Sequence, residues 1–533
     1  MPGLRDGYRA FNAALASLYW EDLLTLADKK PPFEFDGGVF DKAAQTIYDN
    51  KGFDIPQMAT PEVRAVVEET MRVLETAIGS GLPHEVPETI KYALENNAFI
   101  FSGFKTFHAL REVGLSLVTE KGGIKPFADF LADVRKINDK YNRNYLYAEY
   151  NHAVGTSQMA AKWHDIEQDG DRYDLQYRTA GDNKVREEHA LLHGTTLPPS
   201  DPFWESYYPP NGWNCRCTAV QVRRGKYPRS NSEDAIKRGE ECTAGAKKAI
   251  FRYNPGKSLE LFPPKHPYNK APKEVKNAAD GYVPAEWTPK TIADAEKFFT
   301  NKLGVRCSLK GFTKNDMEQV EEIFRSVERH FQCYPELKKV TRFVGSVKGR
   351  IELLAREKFK ELQKRYPYMP DDELMKEARK WARKAASAGS NCYAYSHGAF
   401  EEWELSGIAF NSDFKGEKVK NSLQRDEKSK WHPVGTGTVK AVIDHELGHE
   451  IDRLVGLRID TDFLKLYGEE TKNGKQYVID NLSKYANTNT AEFIAEAWSE
   501  FLNNEKPRPI AAAVGRLVIK KYKGKNGHTS SST

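Results

Sequence analysis

The stretch TVKAVIDHELGHEIDRLV, residues 438–455, leaves few folds open to the chain around it. Ile443, Leu447, Ile451 and Leu454 recur at helical spacing and make one apolar stripe. Thr438 can cap the start, and Gly456 stands where a helix ends. On such a helix His445 and His449 lie one turn apart and point the same way, so two imidazoles can hold one zinc ion. Glu446 comes off the neighbouring stripe, placed to take a proton from a metal-bound water. Gly448 leaves room for another backbone to approach.

Two histidines do not complete a catalytic zinc site, which needs a third protein ligand and an open position for water. The extended metzincin pattern would put Gly and His at positions 452 and 455, where this chain has Asp452 and Val455. The better source is SKYANTNTAEFIAEAWSEFL, residues 483–502. It reads as a second helix, capped by Thr488 or Asn489, with Phe493, Ile494, Ala497, Trp498 and Phe501 as its core face. Glu492 and Glu496 fall one turn apart on the other face. Glu492 as third ligand gives a gluzincin-type site. Asn489-x-x-Glu492 also fits a capping box, and Asp462 is the alternative ligand.

The two segments together resemble the catalytic domain of the anthrax lethal factor family: HELGHEID, then Tyr-x5-Ala-Glu-Phe-x-Ala-Glu-Ala-aromatic. The resemblance implies a zinc metalloendopeptidase in which His445, His449 and Glu492 bind zinc and Glu446 is the general base. It implies that Tyr485 stabilises the oxyanion or protonates the leaving amine, and that Asp452 and Glu496 orient the ligand histidines. As motif it rests on these two helices alone. A packed aromatic is the plain alternative for Tyr485.

With 533 residues, 29% of them charged and 39% hydrophobic, the chain suits a soluble, mostly helical α+β protein of several domains. The net charge of +5 is small for the length and does not indicate a nucleic-acid binder. Six cysteines, scattered except for Cys215 and Cys217, do not form a disulfide framework and suit a reducing compartment of synthesis. The first residues read as neither a secretory signal nor a membrane span.

Residues 1–165 read as a helical region with no chemical site, and its role is packing or assembly. Residues 166–270 change to short β-type runs, turns and aromatics. In order come Tyr173 to Arg178, Val185 to His189, Asp201-Pro202-Phe203-Trp204, Pro209 to Cys217 and Phe251 to Gly256. That series is similar to the phage Mu F-like head morphogenesis family, the minor head proteins of tailed phages. The resemblance implies a virion component made in the bacterial cytoplasm and working beside the portal or other head proteins, close to packaged DNA. Within it His189, Cys215 and Cys217, with His193 nearby, could gather a structural metal. The competing reading, a pair of partly buried thiols beside a hydrogen-bonded histidine, is favoured by the tight Cys-x-Cys spacing.

Prolines and lysines mark residues 271–290 as a linker; after it, the resemblance implies a zincin-like metallopeptidase domain over residues 291–506, followed by a basic C-terminal tail, 507–533, solvated from Lys520 on. Gly407 to Asn411 reads as the strand beside the active-site helix, where zincins pair an edge strand with an extended substrate. The combined expectation is a phage head protein carrying a zinc peptidase, as a virion-borne effector or toxin or in head maturation. The rival expectation is a structural head protein with an inactive zincin domain.

Overall fold

The computed structural model describes residues 2–26, 29–386 and 392–527. They form two compact units, Met1–Gly281 and Tyr282–Thr533, and helices dominate both, with one small sheet in each. Among the described residues no helix is long and apolar enough to cross a membrane.

In the first unit the helix Pro61–Gly81 packs on Glu88–Ser116 and Leu146–Asp169. Leu74, Ala77, Leu94, Leu110 and Ala148 are fully buried between them. A Cβ on Gly81 would stand 2.4 Å from the Val154 carbonyl oxygen, so only glycine permits that crossing. Leu146–Asp169 does not stop at the sequence boundary near residue 165. Its first half buries Ala148 and Ala153 in the helical core, and its second half puts Met159, Trp163 and Ile166 under the sheet. One continuous helix thus serves both cores, and the two expected regions are one unit. The sheet is antiparallel, ordered β2 (Thr196–Leu197), β1 (Tyr173–Arg178), β3 (Thr218–Arg223). Two of the expected β-type runs are instead short helices, Glu187–Ala190 and Phe203–Tyr207.

The expected linker differs most from its composition. Glu274–Ala279 is a helix that buries Val275, Ala278 and Ala279, and it packs on Glu88–Ser116 within the first unit. Beyond Gly281 the chain is strapped to the helix Met317–Cys333: the Val283 and Ala285 amides donate to Gln332 and Glu328 at 2.9 Å each.

The second unit is built on Met317–Cys333, Val439–Val455, Thr490–Asn503 and Pro509–Gly527. Its sheet is ordered β4 (Phe343–Ser346), β6 (Gly407–Phe410), β5 (Ala394–His397), with β4 and β6 parallel and β5 antiparallel to β6. The strand expected at the edge, β6, is therefore central, and β5 takes the edge beside the HExxH helix. Within the expected basic tail, Pro509–Gly527 is a helix whose first part is packed, and the stretch expected to be solvated, from Lys520, is its largely exposed end. Ile510, Val514, Leu517 and Val518 make a buried helical stripe, while Lys523 and Lys525 face solvent; residues 528–533 lie outside the described residues. A Cβ on Gly515 would come within 2.2 Å of the Phe501 ring. Gly515→Ala should therefore destabilise the second unit by about 1–3 kcal/mol in a denaturant titration, as overpacking does. A solvated tail would give no change.

Candidate metal centre

Thr438 caps the HExxH helix by accepting the Ala441 amide at 3.1 Å, and Gly456 ends it at φ +73°. Asn489 caps the partner helix, accepting the Ala491 and Glu492 amides. The two pack face to face, and a Cβ on Gly448 would lie 3.0 Å from Ala495 Cα and 3.3 Å from Trp498 Cδ1. That closeness brings the histidines under Glu492.

Glu492 Oε2 lies 3.1 Å from His445 Nε2 and 3.4 Å from His449 Nε2. The three ligand atoms fall within 4.8 Å of one another. A tetrahedral zinc with arms of about 2.0–2.1 Å would separate such atoms by about 3.3 Å. Glu492 Oε2 is buried, and both imidazole nitrogens face it. A carboxylate oxygen set between two imidazoles at that spacing fits a shared cation. Asp462, the alternative ligand, pairs with Lys521 at 2.8 Å and is not in the cluster.

Glu496 organises the next layer. Its Oε1 is 2.9 Å from His445 Nδ1 and 3.0 Å from His432 Nδ1, and its Oε2 accepts from Ser483 Oγ at 2.7 Å. Burial would raise the Glu496 pKa, but the bonds from His432 and His445 hold it at about 2. Burial likewise opposes charge on His445, yet Glu492 and then Glu496 push it up to about 10. Glu492 is held far below the usual carboxylate range: burial raises it, and the bonds to His445 and His449 outweigh burial. Both glutamates are thus ionised, the form in which a carboxylate binds metal or steadies a ligand imidazole.

Asp452 does not belong to this layer. It is buried and accepts the Arg458 amide at 2.9 Å and Arg458 Nε at 2.7 Å, closing the turn after the helix instead of steadying a histidine. Glu446 accepts the Ser396 amide of β5 at 2.8 Å, which ties the edge strand to the expected base. Tyr485 opens the short turn Tyr485–Asn487 before the second helix, its ring stacked 6.0 Å from that of His445. Burial, then Glu492 and Glu446, raise its pKa, so the phenol keeps its proton. His432, Ser483 and Ser396 were not singled out from sequence. The His432-Pro433 turn just before the Thr438 cap is the one local signal that could have pointed to any of them.

In the first unit His189 meets Cys215 and Cys217, each sulfur 3.6 Å from the same Nδ1. His193 is turned away, accepting the Thr179 amide at 3.2 Å.

Residues 123–220 match the family described as Phage Mu protein F like protein. The match begins well before the expected start at residue 166 and takes in the helix that feeds the sheet. A protein of Escherichia phage Mu named "Putative capsid assembly protein F" is 41% identical over 188 residues, covering 33% of this chain and 39% of that protein. The Mu-like prophage FluMu F protein of Haemophilus influenzae is 37% identical over 79 residues, 14% of this chain and 18% of that protein. The chain thus spans well under half the length of either relative. No solved structure matches it. Over residues 123–220, which take in β1, β2 and the first half of β3, the chain is similar to the Mu F-like family.

Proposed function

We propose that this chain is a phage head assembly protein whose second unit is a zinc-dependent endopeptidase. The assembly half is supported by the 41% identity to the phage Mu protein named for capsid assembly; on this reading its partners are other head proteins, the portal among the candidates. The peptidase half is carried by one observation: Glu492 Oε2 set 3.1 Å from His445 Nε2 and 3.4 Å from His449 Nε2, a clustered two-His, one-carboxylate donor set.

On this reading His445, His449 and Glu492 would hold a zinc ion, which when bound would supply Lewis-acid activation of water and of the scissile carbonyl. Glu446 is the base. One of its oxygens is engaged by the Ser396 amide, which leaves the other to receive the proton and pass it to the leaving amine. The β5 edge offers main-chain groups to an extended peptide beside that carboxylate. Tyr485 supplies a phenolic proton to the developing oxyanion, and its raised pKa keeps that proton in place at neutral pH. Glu496 holds the His445 ring and is itself fixed by His432 and Ser483.

The test is cleavage profiling and metal analysis of the full chain with matched variants. Glu446→Gln should keep its zinc and lose roughly a hundredfold or more in turnover, as expected for a missing general base. Equal cleavage by that variant removes Glu446 from the mechanism. Tyr485→Phe should keep zinc and Michaelis constant while the barrier rises by roughly 2–4 kcal/mol. Unchanged turnover would make Tyr485 a packing residue. The assembly half is read separately, by mass spectrometry of purified particles, which should contain peptides from both units. Comparing Glu446→Gln particles with the parent then identifies the substrate class: altered head-protein processing indicates maturation, and an unaltered particle indicates an effector.

A further inference from the structure

We infer that His189, Cys215 and Cys217 form a second metal site, in the first unit, that takes a zinc-class divalent cation through three protein ligands and leaves its fourth position to solvent. The site is independent of the peptidase reading and shares no residue with it.

The local chain is shaped to present the three groups. Cys215 and Cys217 stand two apart in the extended segment entering β3, so both sulfurs leave the backbone on one side. Asn214 makes the bend before them at φ +53°, and its side chain is held by Asn151 at 2.8 Å. His189 comes from the helix Glu187–Ala190, tied to the same bend by Arg186, which donates to the Trp213 carbonyl at 2.8 Å. Gly212 lets the two segments close: a Cβ there would stand 3.1 Å from the Arg186 guanidinium and 3.9 Å from the His189 ring. His189 is 4% exposed and Cys217 9% exposed, and Cys215 is half-buried, so two of the three donors are withdrawn from bulk water.

The distances favour a shared centre. Each sulfur is 3.6 Å from His189 Nδ1. A ring nitrogen offers one proton or one lone pair, so a hydrogen bond accounts for one of these equal contacts and not for both. A tetrahedral zinc with arms of about 2.3 Å to sulfur and 2.0–2.1 Å to nitrogen sets each S···N pair about 3.6 Å apart. Among the described residues no fourth His, Cys, Asp or Glu joins the group. Closed structural sites use four ligands, and those with three keep an open position. All three residues line a pocket of about 1060 Å³, whose wall also carries Arg186, Arg216 and Lys162, and the fourth position belongs on that side. Two thiolates and a neutral imidazole balance a divalent charge, which removes the cost of leaving thiolates buried alone.

The test uses the full chain loaded with cobalt under reducing, anaerobic conditions. A thiolate-to-cobalt charge-transfer band in the near ultraviolet is expected. It should persist in His445→Ala/His449→Ala, whose altered site has no sulfur, and disappear in Cys215→Ser/Cys217→Ser. Zinc should fall by about one ion per chain in each double variant, as separate sites require. The wild type supplies a second readout in case the serine variant misfolds. Maleimide labelling of Cys215 and Cys217 should slow roughly tenfold or more on zinc loading and recover with chelator, because a metal-bound thiolate is a poor nucleophile. Absence of the band in the folded wild type, or labelling of these two cysteines indifferent to zinc, overturns the site.

Discussion

The second unit depends on how closely its two principal helices can approach. Gly448 faces Ala495 and the Trp498 ring, and a single methyl group there would already be at 3.0 Å from the opposing Cα. Glu492 lies one residue before Phe493 on a helix whose apolar face is fully buried, so its position is set by that packing. The histidines sit on either side of Gly448 along the other helix. Widening the crossing would move Glu492 away from both imidazoles together. The buried Trp498 Nε1, donating to His330 Nε2 at 2.8 Å, and Ser326 Oγ, donating to Asp444 at 2.6 Å, then fix the helix Met317–Cys333 against the same pair. The candidate centre is thus held by core contacts and polar pins on rigid helices, which is where a precise ligand geometry can be kept.

Glu496 shows how one carboxylate can unite segments far apart in sequence. It gathers His432 from the loop before the HExxH helix, Ser483 from the turn before its own helix and His445 from the centre itself. A buried carboxylate is costly unless its lone pairs are used, and here three groups use them. The loop carrying His432 and the turn leading to Tyr485 are also joined directly, because the Tyr485 amide donates to the Trp431 carbonyl at 3.1 Å. The phenol and the His445 imidazole are therefore positioned by one network.

The two site helices were legible in sequence because their information is local: stripe spacing, a Thr or Asn cap and a glycine stop. Glu492 could be placed for the same reason. Asp452 shares the helix but is drawn away by Arg458, which returns after the Gly456 turn, and no periodicity reports on a turn's return path. His432, Ser483 and Ser396 come from loops and an edge strand whose positions follow only from tertiary packing. The packed part of the linker and of the start of the tail was missed for a different reason. Their prolines and lysines suggest solvent, but Val275, Ala278 and Ala279, and Ile510, Val514, Leu517 and Val518, carry helical apolar spacing beneath that composition. Where composition and periodicity disagree, periodicity governs burial, since long lysines can cover one face of a helix whose other face is packed.

The two clusters differ in donor chemistry, and that difference bears on what each could do. His445, His449 and Glu492 offer nitrogen and oxygen, with a carboxylate base and a phenol close by and an edge strand beside them. His189, Cys215 and Cys217 offer two sulfurs and one nitrogen, with Arg186, Arg216 and Lys162 along the pocket and no carboxylate in the cluster. Two thiolates donate more charge to a bound cation than a carboxylate and an imidazole do, so they weaken its pull on a fourth ligand. The first arrangement suits activation of water. The second suits retention of the ion, which would pin the helix Glu187–Ala190 to the entry of β3, an edge strand of its sheet. On the proposed readings, ligand softness and the nearby proton-transfer groups would separate chemistry in one unit from cross-linking in the other.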